Sequence, residues 1–232
     1  MTVVLVAHGS ADPRAAVRTR GLARAVGAVP AYLDHAGPRP GEVLFALSRA
    51  GHRSAVLVPL LFTAAYHGRV DIPAALDAAR AGGLDLDVAV ADVLGPVDGV
   101  VPPELLDALS HRLAGSFDGL VLAAAGTRDA SARETVAQVA GELGARFGVP
   151  CAPAYATAAG PRPGEAVASL RAAGCSRVAV SAYFLAPGRL YDAAAASAWA
   201  AGAVAVADPL GAEPALARLV RRRATEALLV PA

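Results

Sequence analysis

The chain contains no lysine: every one of its 21 basic residues is arginine. That excludes Schiff-base catalysis and the lysine of a phosphate-binding P-loop. Cysteine is nearly absent too, and Cys151 and Cys175 stand in no CxxC spacing, which excludes a disulfide framework and a zinc site. Both are expected to be buried small apolar residues. Charge is sparse and balanced, with 20 acidic residues and a formal net charge of +1. The one tight basic run, 221–223, does not make nucleic acid an implied partner. Long hydrophobic runs are missing. The most apolar stretch, residues 193–207, is closed by Asp192 and Asp208 and is too short to span a bilayer, and no signal-peptide pattern is visible. A soluble cytoplasmic protein without a membrane partner is expected. GxSxG, GxGxxG and GxxxxGK[ST] are all absent, which argues against a serine hydrolase despite a His-Gly-Ser triplet, and against a nucleotide-binding module.

What is present is a repeat. AGPRPGE occurs at residues 36–42 and again at 159–165, with Tyr32 and Tyr155 at the same offset upstream. VVLVAHGSADP at 3–13 answers LVLAAAGTRDA at 120–130, and HRSAVLVPLLF at 52–62 answers CSRVAVSAYFL at 175–185. Two homologous halves follow, 1–115 and 116–232, with the Gly and Pro punctuation of residues 95–103 marking a turn before a helix that closes the first.

Within each half, short apolar runs at 3–7, 55–61, 88–91, 119–124, 177–184 and 203–207 read as strands buried on both faces of a parallel sheet. Between them, residues 13–27, 40–50, 72–81 and 103–114 fit helices, as do 130–147, 163–173, 189–200 and 213–228. This alternation predicts an α/β fold with helices on both faces of each sheet. Ligands in such folds sit beyond the carboxyl ends of the strands, where strand order reverses.

That rule directs attention to His8, at the end of the first strand before Gly9 and Ser10, and to His67 in LLFTAAYHGRVDIP at 60–73. If the strands preceding them are neighbours, two imidazoles face one ligand. The run AYLDHAG at 31–37 adds Asp34 and His35, which strand alternation sends to opposite sides unless a turn intervenes. A lone strand-end histidine is most often a capped or core residue, the reading given to His52 and His111. The internal comparison separates His8 and His67 from that reading. They are answered by Ala125 and Leu190 while the surrounding apolar runs and turns persist, so one competent site built by the first half is expected.

VVLVAHGSADP, AYLDHAGPRPGE and VPLLFTAAYHGRVDIP together resemble the sirohydrochlorin chelatases, class II chelatases that include the cobalt- and iron-inserting enzymes of cobalamin and sirohaem synthesis. The resemblance implies two homologous flavodoxin-like lobes with a tetrapyrrole cleft between them. It places the metal-handling and catalytic histidines on His8 and His67, and the family's carboxylate, usually Glu, on Asp34. Asp is a methylene shorter, so its contact with the metal would pass through water or His35 would contribute instead. Val70 stands where many relatives carry a basic residue. The implied substrates are sirohydrochlorin and a divalent metal, Fe2+, Co2+ or Ni2+, with no permanently bound cofactor, and a monomer is expected.

Neutral imidazoles suit such a reaction, since they hold a borderline cation loosely and accept a proton near neutral pH. Sirohydrochlorin carries many carboxylates, which guanidinium forks bind bidentately. Arg14 and Arg69, with the Gly9 and Ser10 backbone, are the first candidates to hold them, and Arg128 and Arg189 are further ones. A non-catalytic metal or tetrapyrrole carrier would use the same residues.

Overall fold

The structure, a computed structural model, describes residues 1–63, 70–157 and 160–229. The first sheet contains β1 (Thr2–Ala7), β2 (Val29–Tyr32), β3 (Ser54–Pro59) and β4 (Asp87–Val90), all parallel, in the order β2-β1-β3-β4. The second repeats the pattern with β5 (Gly119–Ala124), β6 (Cys151–Tyr155), β7 (Val178–Tyr183) and β8 (Ala205–Val206), in the order β6-β5-β7-β8. This is the two-lobed flavodoxin-like α/β class expected. Parallel strands need crossovers, and the helices supply them: α1 (Pro13–Val26), α2 (Pro40–Arg49), α3 (Ile72–Ala81), α4 (Pro103–His111), α5 (Ala130–Phe147), α6 (Pro163–Ala172), α7 (Arg189–Ala200) and α8 (Pro214–Leu229).

Val4, Leu5 and Val6 are fully buried, as are Leu120, Val121 and Leu122 of β5, because the central strands are covered on both faces. Both strands lead into helices started the same way. Asp12 accepts the N–H of Arg14 ahead of α1, and Asp129 accepts that of Ser131 ahead of α5, each at 2.9 Å. Both helices end on a left-handed glycine, Gly27 and Gly148.

β6 was not among the sequence-predicted strands, and β2 was anticipated only through the extended run at 31–37. They are short, each contains a proline (Pro30, Pro153), and both lie at a sheet edge, where a missing N–H costs no ladder bond. The cysteines differ from expectation in degree: both are partly buried. Burial pushes the Cys151 thiol up to about 12, so it stays protonated and unreactive at neutral pH.

The compact units are not the sequence repeats. One comprises residues 1–98 and 212–232, the other 99–211. The last helix of each repeat has changed places: α8 packs on α1, β3 and β4, while α4 packs on α5 and β7. The α8 placement is held by Arg223, 6% exposed, which donates to the carbonyls of Val93 (3.0 Å) and Gly95 (3.2 Å) and pairs with Glu226 at 3.1 Å. An Arg223→Met change strands two buried carbonyls and is expected to cost about 3 kcal/mol of unfolding free energy, read from denaturant titration. A cost under about 0.5 kcal/mol would show that α8 is held by its apolar face alone. Among the described residues no helix is long and apolar enough to cross a membrane.

Candidate functional site

The order of strands in the first sheet reverses between β1 and β3, so the carboxyl end of β1 is the topological switch point. His8 is the first residue beyond it. β1 and β3 are hydrogen-bonded neighbours, with Val6 opposite Pro59 and the Leu60 N–H on the Val6 carbonyl at 2.8 Å. The loop that follows β3 therefore starts beside His8. His67 and Arg69 lie outside the described residues.

On the other flank, the chain leaving β2 runs alongside the His8 segment. Leu33 N–H donates to the Ala7 carbonyl at 2.9 Å and Asp34 N–H to the His8 carbonyl at 2.7 Å. The two backbones meet so closely at Gly9, whose φ is +96°, that a Cβ there would overlap the Asp34 carbonyl oxygen. A tight turn follows, with Ala36 N–H on the Asp34 carbonyl at 2.7 Å and His35 at φ +57°. This turn overrides the strand alternation that sends Asp34 and His35 apart. Their side chains meet instead, His35 Nε2 standing 3.4 Å from Asp34 Oδ2, and the His35 ring lies edge-on to that of His8 with centroids 6.2 Å apart.

The electrostatics of this corner favour a fixed negative charge. The His35 backbone N–H, 2.8 Å from Asp34 Oδ1, holds the Asp34 carboxyl below its ordinary range; slight burial opposes it, and the neighbouring His35, Arg39 and His8 side chains assist. The Arg39 guanidinium reaches Asp34 Oδ1 at 3.7 Å and also donates to the Leu33 carbonyl, so it secures the loop as well as the carboxylate. Two imidazoles and an ionised carboxylate suit a borderline divalent cation. Among the described residues no three His, Cys, Asp or Glu side chains already stand in metal-binding geometry, so these donors are near one another rather than a finished cage.

The other site residues expected from the sequence are engaged locally. The Ser10 hydroxyl accepts the Asp12 N–H at 3.1 Å, and Arg14 is paired with Asp12, its NH2 nitrogen 2.6 Å from Oδ2. Thr127 accepts the Asp129 N–H in the same way, so the hydroxyl at this position is a device of the repeat. Arg128 and Arg189 are exposed, Arg189 at the start of α7, and Val70 is exposed ahead of α3.

The repeated AGPRPGE segment has a visible purpose in both units. Arg39 and Arg162 each donate a backbone N–H to a glutamate three residues on, Glu42 at 2.6 Å and Glu165 at 2.8 Å. Their guanidiniums reach back to the carbonyls of Leu33 and Ala156. Gly126, at φ +103°, meets the Thr157 carbonyl as Gly9 meets that of Asp34. The loop frame is thus duplicated, but its donors are not, since Ala125 and Thr157 replace His8 and Asp34.

The family model for CbiX matches residues 2–114 and again 119–227. No curated protein matches the chain. Among solved structures, it is similar over 99% of its length to 96% of SirB from Bacillus subtilis with Fe3+, at 21% identity and a TM-score of 0.79. The sirohydrochlorin chelatase SirB from Bacillus subtilis subspecies spizizenii in complex with cobalt follows at 20% identity, 98% and 95% coverage and a TM-score of 0.77. CbiX, the terminal enzyme for biosynthesis of siroheme in denitrifying bacteria, is similar at 20% identity, with 98% of this chain and 99% of that one covered and a TM-score of 0.64. These likenesses establish a shared fold.

Proposed function

Because this chain belongs to the CbiX family, we propose that it is a sirohydrochlorin chelatase, a lyase that inserts a divalent metal, Fe2+ or Co2+, into sirohydrochlorin and releases two protons. The pathway served is sirohaem or cobalamin biosynthesis. The observation that carries the reading is the corner at the end of β1, where His8 and the ionised Asp34 stand side by side at the switch point of a CbiX-family fold. Relatives of the same fold are described with Fe3+ and with cobalt, which supports a metal substrate of this class.

The work of this chain's residues follows from their chemistry. The Asp34 carboxylate draws the cation in and offsets its charge while water is stripped from it. His8 offers a neutral imidazole nitrogen as ligand or, once the metal has passed to the macrocycle, as acceptor of a pyrrole proton. His67 takes the complementary role. A nitrogen that holds the metal cannot accept a proton at the same time, so two imidazoles permit a division of labour that one does not. The first repeat carries the metal site, and the second keeps the frame without the donors. Since Arg14 is paired with Asp12, binding a substrate carboxylate there would require exchange of one carboxylate for another.

Asp34 acts through charge and orientation, so Asp34→Ala is expected to lower kcat/KM about tenfold, a smaller loss than removing either histidine. An unchanged rate would take Asp34 out of the site. The function itself is tested by an anaerobic absorbance time course of sirohydrochlorin with Co2+ or Fe2+, with protein well below substrate and a protein-free control. Acceleration through many turnovers is expected. A stoichiometric spectral shift without acceleration would make the protein a carrier.

A further inference from the structure

The duplicated frame exposes which features of the first loop are there for more than folding. Pro38, Arg39 and Glu42 and the glycine at the close approach all have working counterparts in the second unit: the Tyr32 and Tyr155 N–H groups bond to the carbonyls of Pro38 and Pro161, both at 2.9 Å. Asp34 and His35 have none, because the corresponding sequence is Thr157-Ala158. His35 also sits at a special backbone position. It holds a left-handed backbone at φ +57°, a conformation that few side chains other than those of Asn, Asp and His adopt. Half its side chain is exposed.

What His35 does touch is chemical. Its Nε2 lies 3.4 Å from the Asp34 carboxylate, and its ring meets the edge of His8. From this juxtaposition we infer that His35 is a third donor for the incoming divalent cation, acting with His8 and Asp34 at the mouth of the β1 and β2 loops. The inference rests on the chelatase reading and adds a residue to it. The cation replaces His35 as the partner of Asp34, and the exposed side chains of both residues, 51% and 55% accessible, can turn to meet it. Donors that assemble around the ion and part again suit a site that must give its metal away, whereas a closed four-donor cage retains it. His35, on an exposed turn, is the donor able to take the hydrated ion first, with His8 receiving it nearer the strand end.

The test uses the whole chain labelled with 15N-histidine, whose five imidazoles (His8, His35, His52, His67, His111) give a countable set of ring correlations. Diamagnetic Zn2+, a cation for the same imidazole and carboxylate donors that perturbs chiefly the ring nitrogens it binds, is added to one equivalent. The His8 and His35 ring signals are expected to shift or broaden together. His52 serves as internal control: it precedes β3, at the amino end of the sheet, with its Nδ1 3.0 Å from the Thr2 hydroxyl. If His8 moves and His35 stays with His52, the inference is overturned and the chelatase reading stands; if no imidazole moves, the chelatase reading falls with it. A His35→Asn variant, which tolerates the left-handed turn, is expected to bind Co2+ about tenfold more weakly with unchanged unfolding. Equal affinity in that variant also overturns the inference.

Discussion

Replacing His8 with alanine is expected to lower the rate of metal insertion by about 100-fold or more, the range found when a positioned acid-base group is lost. Unfolding free energy should stay within about 1 kcal/mol of the parent. The separation of the two effects follows from where His8 sits. It lies one residue past β1, only partly buried, and its carbonyl anchors the segment by accepting the Asp34 N–H. The natural comparison is inside the same molecule. Ala125 occupies the equivalent place after β5, and the second unit forms the same loop contact there, with Thr157 N–H on the Ala125 carbonyl at 2.9 Å. Alanine at this position is compatible with the fold, so a large loss of stability in His8→Ala would mean that the imidazole has a structural duty the second unit lacks.

Gly9→Ala should damage the protein in a different way. Alanine at φ +96° is strained, and its Cβ overlaps the Asp34 carbonyl, so the two strand-end loops must separate. A destabilisation of about 2–4 kcal/mol is expected. Since the loop that moves carries Asp34 and His35, Co2+ affinity should fall as well, by at least tenfold under conditions where the variant is folded. Gly126→Ala is the matched control, because it forces apart the same contact in the second unit, against Thr157. It should cost similar stability and leave Co2+ affinity unchanged. If the two variants lose metal affinity equally, the metal site does not belong to the first repeat.

Much of the fold was legible because the chain states it twice. Runs such as VVLVA and GLVLAA can only be central strands, and the Asp-capped helices after them are marked at both ends. The features that escaped are those that depend on packing partners. VPAY and CAPAY are too short and too interrupted by proline to read as strands until an adjacent β1 or β5 supplies their bonds. The exchange of α4 and α8 is equally hidden, since an amphipathic helix does not announce which sheet it will cover. Its clearest trace is Arg223, a charged residue in the middle of the apolar face of α8, explained only when the Val93 and Gly95 carbonyls are found beneath it.

The candidate site was legible in part for the same reason. His8 stood out as a departure between otherwise parallel repeats. The partnership of Asp34 with His35 did not, because alternation along an extended chain separates neighbours and nothing in DHAG by itself specifies a left-handed residue at His35. Histidine is compatible with that conformation but also with many others, whereas glycine would have been a stronger signal. The repeated AGPRPGE, the most conspicuous motif in the chain, proved to be the frame: Arg39 and Arg162 hold their loops alike, and Arg39 pairs with the Asp34 carboxylate as well.

The central claim is that one of two duplicated frames has been equipped to handle metal. Equilibrium dialysis of the protein against Co2+, under reducing and anaerobic conditions, measures this directly as moles bound per chain. The account predicts a single site, lost in His8→Ala and retained in Thr157→Ala. Two equivalents per chain, or one that survives His8→Ala, would contradict it.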